Sequence, residues 1–175
     1  MFRRITLILF SISLIFAGNP INRGSLKIDG SATITKQQSD LRTYWQFYGN
    51  PQIEYFVSKS IGIGLRPTFQ YYLNEDREFL IVSITPLITW VSERPEWPIY
   101  LSVGPSLHRR IDEEDDLDYA RYGWLTELGI EMFLTDNFVV TPNLSYQNNA
   151  DYYHSQIASL NVRIGYYFHG MKIFK

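Results

Sequence analysis

The sequence predicts an all-β protein, a closed antiparallel up-and-down transmembrane β-barrel of eight strands. Three observations predict it. Apolar and polar residues alternate with a period of two through most of the chain after residue 25, which is the periodicity of strands and not of helices. The alternating stretches run well past the roughly 5–6 residues usual in soluble proteins, and match the roughly 9–11 that a tilted strand needs to cross hydrocarbon. Aromatic residues gather near the ends of these stretches: in the first hairpin Tyr44 and Trp45 with Tyr71 and Tyr72 at one end, Tyr55 and Phe56 at the other. Tyr and Trp favour the lipid–water boundary.

The first strand has Leu26, Ile28, Gly30, Ala32 and Ile34 alternating with Lys27, Asp29, Ser31, Thr33 and Thr35. From Thr43 to Tyr72 two strands are joined by a short turn at Ser58-Lys59-Ser60. Trp45, Phe47, Gly49, Pro51, Ile53 and Tyr55 oppose Gln46, Asn50, Gln52 and Glu54; then Ile61, Ile63, Leu65, Pro67, Phe69 and Tyr71 oppose Gly62, Gly64, Arg66, Thr68 and Gln70. Strand four, from about Phe79 to Val91, places Leu80, Val82, Ile84, Pro86, Ile88 and Trp90 opposite Ser83, Thr85 and Thr89. Strand five sets Ile99, Leu101, Val103, Pro105 and Leu107 against Tyr100, Ser102, Gly104, Ser106 and His108. In strand six Tyr122, Trp124, Thr126, Leu128, Ile130 and Met132 oppose Gly123, Glu127, Gly129 and Glu131. Phe138, Val140, Pro142, Leu144 and Tyr146 mark strand seven; Ala158, Leu160, Val162, Ile164, Tyr166 and Phe168 mark strand eight, opposite Ser159, Asn161, Arg163, Gly165 and Tyr167. Pro67, Pro86 and Pro105 recur at a spacing of 19, and Pro142 follows 37 later. Proline cannot donate to a ladder, so these positions are expected at bulges or wide pairs.

The chain has 175 residues, 45% of them hydrophobic and 16% aromatic, enough for one domain. A mean hydropathy of −0.16 is far too low for a helical membrane protein, but a barrel keeps its apolar residues at alternate positions and looks average. Without cysteine there is no disulfide framework, thiolate metal site, cysteine nucleophile or lipid on an N-terminal cysteine. Residues 1–17 carry Arg3 and Arg4, an apolar run from Ile5 to Phe16 and Ala17. This is the pattern of a signal peptide, too short for a spanning helix of about 20 residues. The mature domain is then 18–175, with 14 Lys+Arg against 18 Asp+Glu and a net charge of −4, which gives no reason to expect nucleic acid.

An apolar face continuous over eight strands has to meet either a closed interior or lipid. In a lipocalin-like soluble barrel the apolar side chains point inward; in a membrane barrel the faces are reversed. Connections alternate between short (57–61, 92–98, 135–137) and more polar, often longer ones (36–43, 73–78, 109–120, 147–154), as membrane barrels do. The polar face holds both charge signs, Lys27, Arg66 and Arg163 with Asp29, Glu54, Glu127 and Glu131. These seven residues are expected to form a structural charge network inside the barrel. Eight strands enclose just enough space for side chains to fill.

The signal segment, the phrase NPQIEYFVSKSIGIG from Asn50 to Gly64 and the closing RIGYYF from Arg163 to Phe168 follow in an order and spacing that resembles the small outer-membrane β-barrel superfamily of Gram-negative bacteria, the OmpA/OmpX-like barrels. The resemblance covers nearly all of residues 26–168. It implies a monomer in the cell outer membrane, surrounded by its lipids and lipopolysaccharide, escorted by periplasmic chaperones and inserted by the machinery that reads an aromatic-ended last strand. It also implies a non-enzymatic protein that presents external loops for adhesion, surface protection or structural support. The family usually ends at the terminal aromatic, whereas HGMKIF and Lys175 follow Phe168 here.

No catalytic, cofactor-binding or metal-binding residue is assigned, and no cofactor is expected. His108, His154 and Ser155 with Glu127 or Glu131 are the material for a lipid A deacylase-like hydrolase, but no positional motif joins them and ordinary polar wall residues are expected. The acidic run Asp112 to Asp118 lacks the glycine and final glutamate of an EF-hand loop and reads as a solvated external loop. A narrow pore is the remaining alternative.

Overall fold

The alternating stretches form eleven strand segments that make up eight staves of one closed antiparallel sheet. The computed structural model describes residues 20–38, 43–74, 78–94, 97–112, 120–149 and 156–170; the signal segment lies outside them. In chain order the segments are β1 (Leu26–Gly30), β2 (Ala32–Gln38), β3 (Thr43–Gly49), β4 (Gln52–Phe56), β5 (Ile61–Asn74), β6 (Glu78–Val91), β7 (Ile99–Asp112), β8 (Ala120–Ile130), β9 (Met132–Phe133), β10 (Phe138–Asn149) and β11 (Gln156–Phe168). Three staves are broken in two: β1 with β2, β3 with β4, and β8 with β9. Each stave pairs with the next, and β1 returns to β11 with Leu26 opposite Phe168 and Gly30 opposite Ile164. β2, β5 and β7 run further toward the longer connections than the alternation does, because polar residues pair through the backbone whatever their side chains.

The prolines sit in central staves by meeting one another. Ile84 pairs with Leu107 and Ile88 with Val103, and the ladder stops between those rungs, where the register sets Pro86 opposite Pro105. On their other sides both stay in register, Pro86 with Leu65 and Pro105 with Trp124. Each missing N–H therefore faces the same gap. Pro51 and Pro67 meet likewise between the Gly49–Phe69 and Ile53–Leu65 rungs. Pro142 falls opposite Ile130, at the break between β8 and β9. Two prolines in one rung interrupt one rung and not two.

Side chains restitch the seam that Pro86 and Pro105 interrupt. Across it, inside the barrel, Ser83 meets His108 at 2.6 Å, Thr85 meets Ser106 at 2.7 Å and Thr89 meets Ser102 at 2.7 Å. Gly104 lies in the gap itself: a Cβ there would stand 1.9 Å from the Pro86 carbonyl oxygen, so the two backbones approach closely only with glycine. Replacing both prolines, as Pro86→Val with Pro105→Val, supplies two amides aimed at each other across the rung. Both new amides are expected to be protected in hydrogen exchange; rapid exchange would show that proline is not what interrupts the ladder.

The seam that closes the barrel is short. β1 and β11 share five rungs, whereas β10 and β11 share eleven. Above Gly30 the first stave breaks at Ser31, where Asn50 stands in for the ladder. Its N–H donates to the Ser31 carbonyl at 3.1 Å, and its Oδ1 accepts from the Ser31 N–H at 2.8 Å and the hydroxyl at 2.7 Å. Among the described residues, β2 pairs with β3 alone.

Candidate functional site

The period-two alternation decides which side chains meet which surroundings, and it turns the apolar ones outward. Leu101, Leu128, Leu144 and Leu160 are paired rung to rung across four neighbouring staves, and Leu144 and Leu160 are 55% and 81% exposed. Ile63, Leu65, Ile88, Val103, Val162 and Ile164 continue this exposed belt around the wall. A soluble monomer rarely shows an apolar patch of more than a few hundred Å². Trp45 and Tyr122 lie on the outer surface toward the longer connections, Trp90, Tyr166 and Phe168 toward the short ones. Phe56 does not belong with them: it is fully buried on the inner face, as is Tyr167.

Phe56 and Tyr167 belong instead to an apolar floor, with Ile21, Val91, Tyr100, Phe133 and Val139. The Tyr167 ring packs 5.8 Å from Phe56 and 5.3 Å from Phe133. Phe56, Val91, Tyr100, Phe133 and Val139 sit at inward positions near a short turn, Tyr167 near the end of β11 and Ile21 ahead of β1, where one hydrophobic side chain in a polar register is easily overlooked. The floor closes the lumen at the end where β1 starts and β11 stops.

Above the floor lies the charged layer. All seven residues of the expected network, Lys27, Asp29, Glu54, Arg66, Glu127, Glu131 and Arg163, point inward and are buried. The Lys27 ammonium donates to Glu131 at 2.5 Å and pairs with Asp29 at 3.0 Å. Arg66 reaches Glu127 at 2.5 Å. Arg163 stands between two carboxylates, 3.3 Å from Glu127 and 3.6 Å from Asp29. The seventh member, Glu54, makes none of these ion pairs.

Three uncharged residues complete the layer, and the sequence reading did not place them in it. Gln52 Oε1 accepts from Arg163 at 2.6 Å and from Arg66 Nε at 2.8 Å, joining the two guanidiniums. Tyr100 accepts from Arg163 at 2.8 Å. Tyr167 donates to Glu131 at 2.8 Å. All three occupy inward positions of the alternation, which is the signal that could have found them. The aromatic faces also take charge, with Lys27 Nζ 5.5 Å and Arg163 5.2 Å from the Tyr100 ring.

Toward the longer connections most inward positions are uncharged, with Arg110 4.2 Å over the Phe79 ring and Arg121 opposite His108 on the ladder. Tyr72 accepts from Gln46 and donates to Gln70, each at 3.1 Å, and Asn161 donates to Ser145 at 3.0 Å. His108 faces this layer and is held against Ser83, while Glu127 and Glu131 lie in the charged layer with Arg66, Arg163, Lys27 and Tyr167 as partners. His154, Ser155 and the acidic residues 113–118 lie outside the described residues.

No protein-family model matches the sequence, and no curated protein matches it. Solved structures share the architecture. The chain is similar to outer membrane protein OprG from Pseudomonas aeruginosa, with a TM-score of 0.59 at 12% identity over 87% of this chain and 99% of that one. It is similar to Neisserial surface protein A, with a TM-score of 0.55 at 16% identity over 82% and 97% of the two chains. The attachment invasion locus protein Ail of Yersinia pestis gives a TM-score of 0.53 at 13% identity over 83% and 99%. At these identities the likeness is one of fold.

Proposed function

We propose that this chain, whose fold is that of the small eight-stranded outer-membrane barrels, is a non-enzymatic protein of the Gram-negative outer membrane that presents its four longer connections at the cell surface. The observation that carries this reading is the reversal of faces: apolar residues outward, Arg66 and Arg163 only 2% and 1% exposed within. In water that arrangement wastes the hydrophobic effect twice, since leucines stay wet while guanidiniums lose their hydration. In lipid the first cost disappears, and the second is offset by the ion pairs within the layer.

The role of the surface loops follows from what the scaffold leaves available. The floor and the charged layer fill the lumen, which speaks against a pore, and a soluble lipocalin-like carrier would need the opposite orientation of the wall. His108 faces inward, away from any acyl chain outside, which speaks against lipid-modifying chemistry on the wall. Adhesion, surface protection or envelope support by the loops remains. The names of two structural neighbours, a surface protein and an attachment invasion locus protein, point the same way.

Cell fractionation tests the reading. The protein is expected in the outer-membrane fraction, resistant to alkaline extraction, and as a compact gel species that shifts on boiling. Recovery in the aqueous periplasm without detergent would overturn it, and conductance steps in planar bilayers would replace the loop-presenting scaffold by a pore.

A further inference from the structure

The charged layer does not balance. Lys27, Arg66 and Arg163 bring three positive charges; Asp29, Glu54, Glu127 and Glu131 bring four carboxyl groups, all 1–5% exposed. Hydrogen-bonding capacity is unbalanced in the same sense. Among the described residues the buried side-chain atoms left without a hydrogen bond are four acceptor oxygens, on Asp29, Glu54 and Asn143, against one donor, Arg163 Nε, and the Thr141 hydroxyl, which can do either. The layer is short of one positive charge and short of donors.

The deficit can be located. Asp29 is paired with Lys27 and Arg163, Glu127 with Arg66 and Arg163, and Glu131 with Lys27 and the Tyr167 hydroxyl. Glu54 is in none of these ion pairs: it has a 3.5 Å contact from Gln52 Nε2 and the Thr89 hydroxyl beside it, and its Oε1 has no hydrogen-bond partner. Lys27 stands directly opposite Glu54 on the β1–β4 ladder, yet its ammonium is turned to Asp29 and Glu131. Among the described residues the one buried histidine is His108, which pairs with Ser83, four residues along β6 from the Leu87 that lines up with Glu54 through Gly64. Four residues of strand are about 13 Å, too far to neutralise Glu54.

We propose that Glu54 is a proton-binding site, and that the folded barrel holds this side chain as the neutral carboxylic acid. A proton supplies in one step the missing charge and a missing donor. A metal ion fits the place poorly. Among the described residues no three His, Cys, Asp or Glu side chains converge on a metal position, and Oε1 lies 2.8 Å from where a Cβ on Gly62 would stand, against the β5 backbone. The charged and titratable groups facing Glu54 are Lys27 and Asp29 on β1, Glu131 between β8 and β9, and Arg163 and Tyr167 on β11. An ionised Glu54 would leave this dry layer with a net negative charge, and burial of unpaired charge is the most costly arrangement available to it.

Infrared spectroscopy of the full protein in detergent at neutral pH tests this. The wild type is expected to show the carbonyl stretch of a protonated carboxylic acid, which Glu54→Gln removes and Glu131→Gln retains. Folding then takes up one proton, so stability falls as pH rises above the ordinary carboxyl range: the unfolding constant climbs about tenfold more per pH unit in the wild type than in Glu54→Gln. Absence of the band from the wild type overturns the proposal whether or not the variants fold, as does its survival in Glu54→Gln. A wild-type stability that tracks sodium or potassium and not pH also overturns it.

Discussion

Leu144→Arg is expected to weaken the folded protein in lipid bilayers by about 2–4 kcal/mol, the cost of a cation at the midplane of a membrane barrel. Leu144 lies near the middle of β10, between Leu128 on one side and Leu160 on the other. A guanidinium there has neighbouring leucines and lipid tails for company, and neither water nor carboxylate within easy reach. Equilibrium urea unfolding from phosphatidylcholine vesicles measures the loss. If the wall faced water, the same replacement would fall within the roughly 0.5 kcal/mol of an ordinary surface change. A value that small sinks the membrane assignment.

Arg163→Met is expected to cost about 3–5 kcal/mol, the range for removing one member of a buried charge cluster. It takes one of two cationic partners from Asp29 and from Glu127, one of the donors to Gln52, and the donor to Tyr100. The cost is chiefly that of the surplus of buried carboxylates left behind, so adding Glu127→Gln should return part of it. A double-mutant cycle read by urea unfolding is expected to give a coupling of about 0.5–3 kcal/mol between the two positions. Strict additivity, or a loss below about 1 kcal/mol for Arg163→Met alone, would mean that water reaches this layer and screens it.

Most of the wall was legible in the sequence, because one rule, alternation, decides both strand and facing. Leu144 and Arg163 are assigned to opposite surfaces by parity alone, without knowledge of any partner. What parity cannot supply is who stands beside whom. The prolines read as a difficulty from sequence; only the register reveals that Pro86 faces Pro105 and Pro51 faces Pro67, so that the disruptions coincide. Phe56 was misplaced for a related reason. An aromatic residue at a strand end suits a membrane interface in general, but its even position, shared with Gln52 and Glu54, puts it inside. The isolation of Glu54 could not be read at all, since it depends on where Lys27, its cross-strand partner, directs its ammonium.

The five rungs between β1 and β11 bring together the two ends of the domain, Lys27 and Tyr167 among them, the contact most remote along the chain that this topology demands. Entropy makes such a closure late. Until the last strand arrives, the polypeptide is a curled ribbon with two raw borders and a greasy back, ready to join another ribbon as easily as itself. Solubility before the seam closes is therefore the hazard this architecture carries.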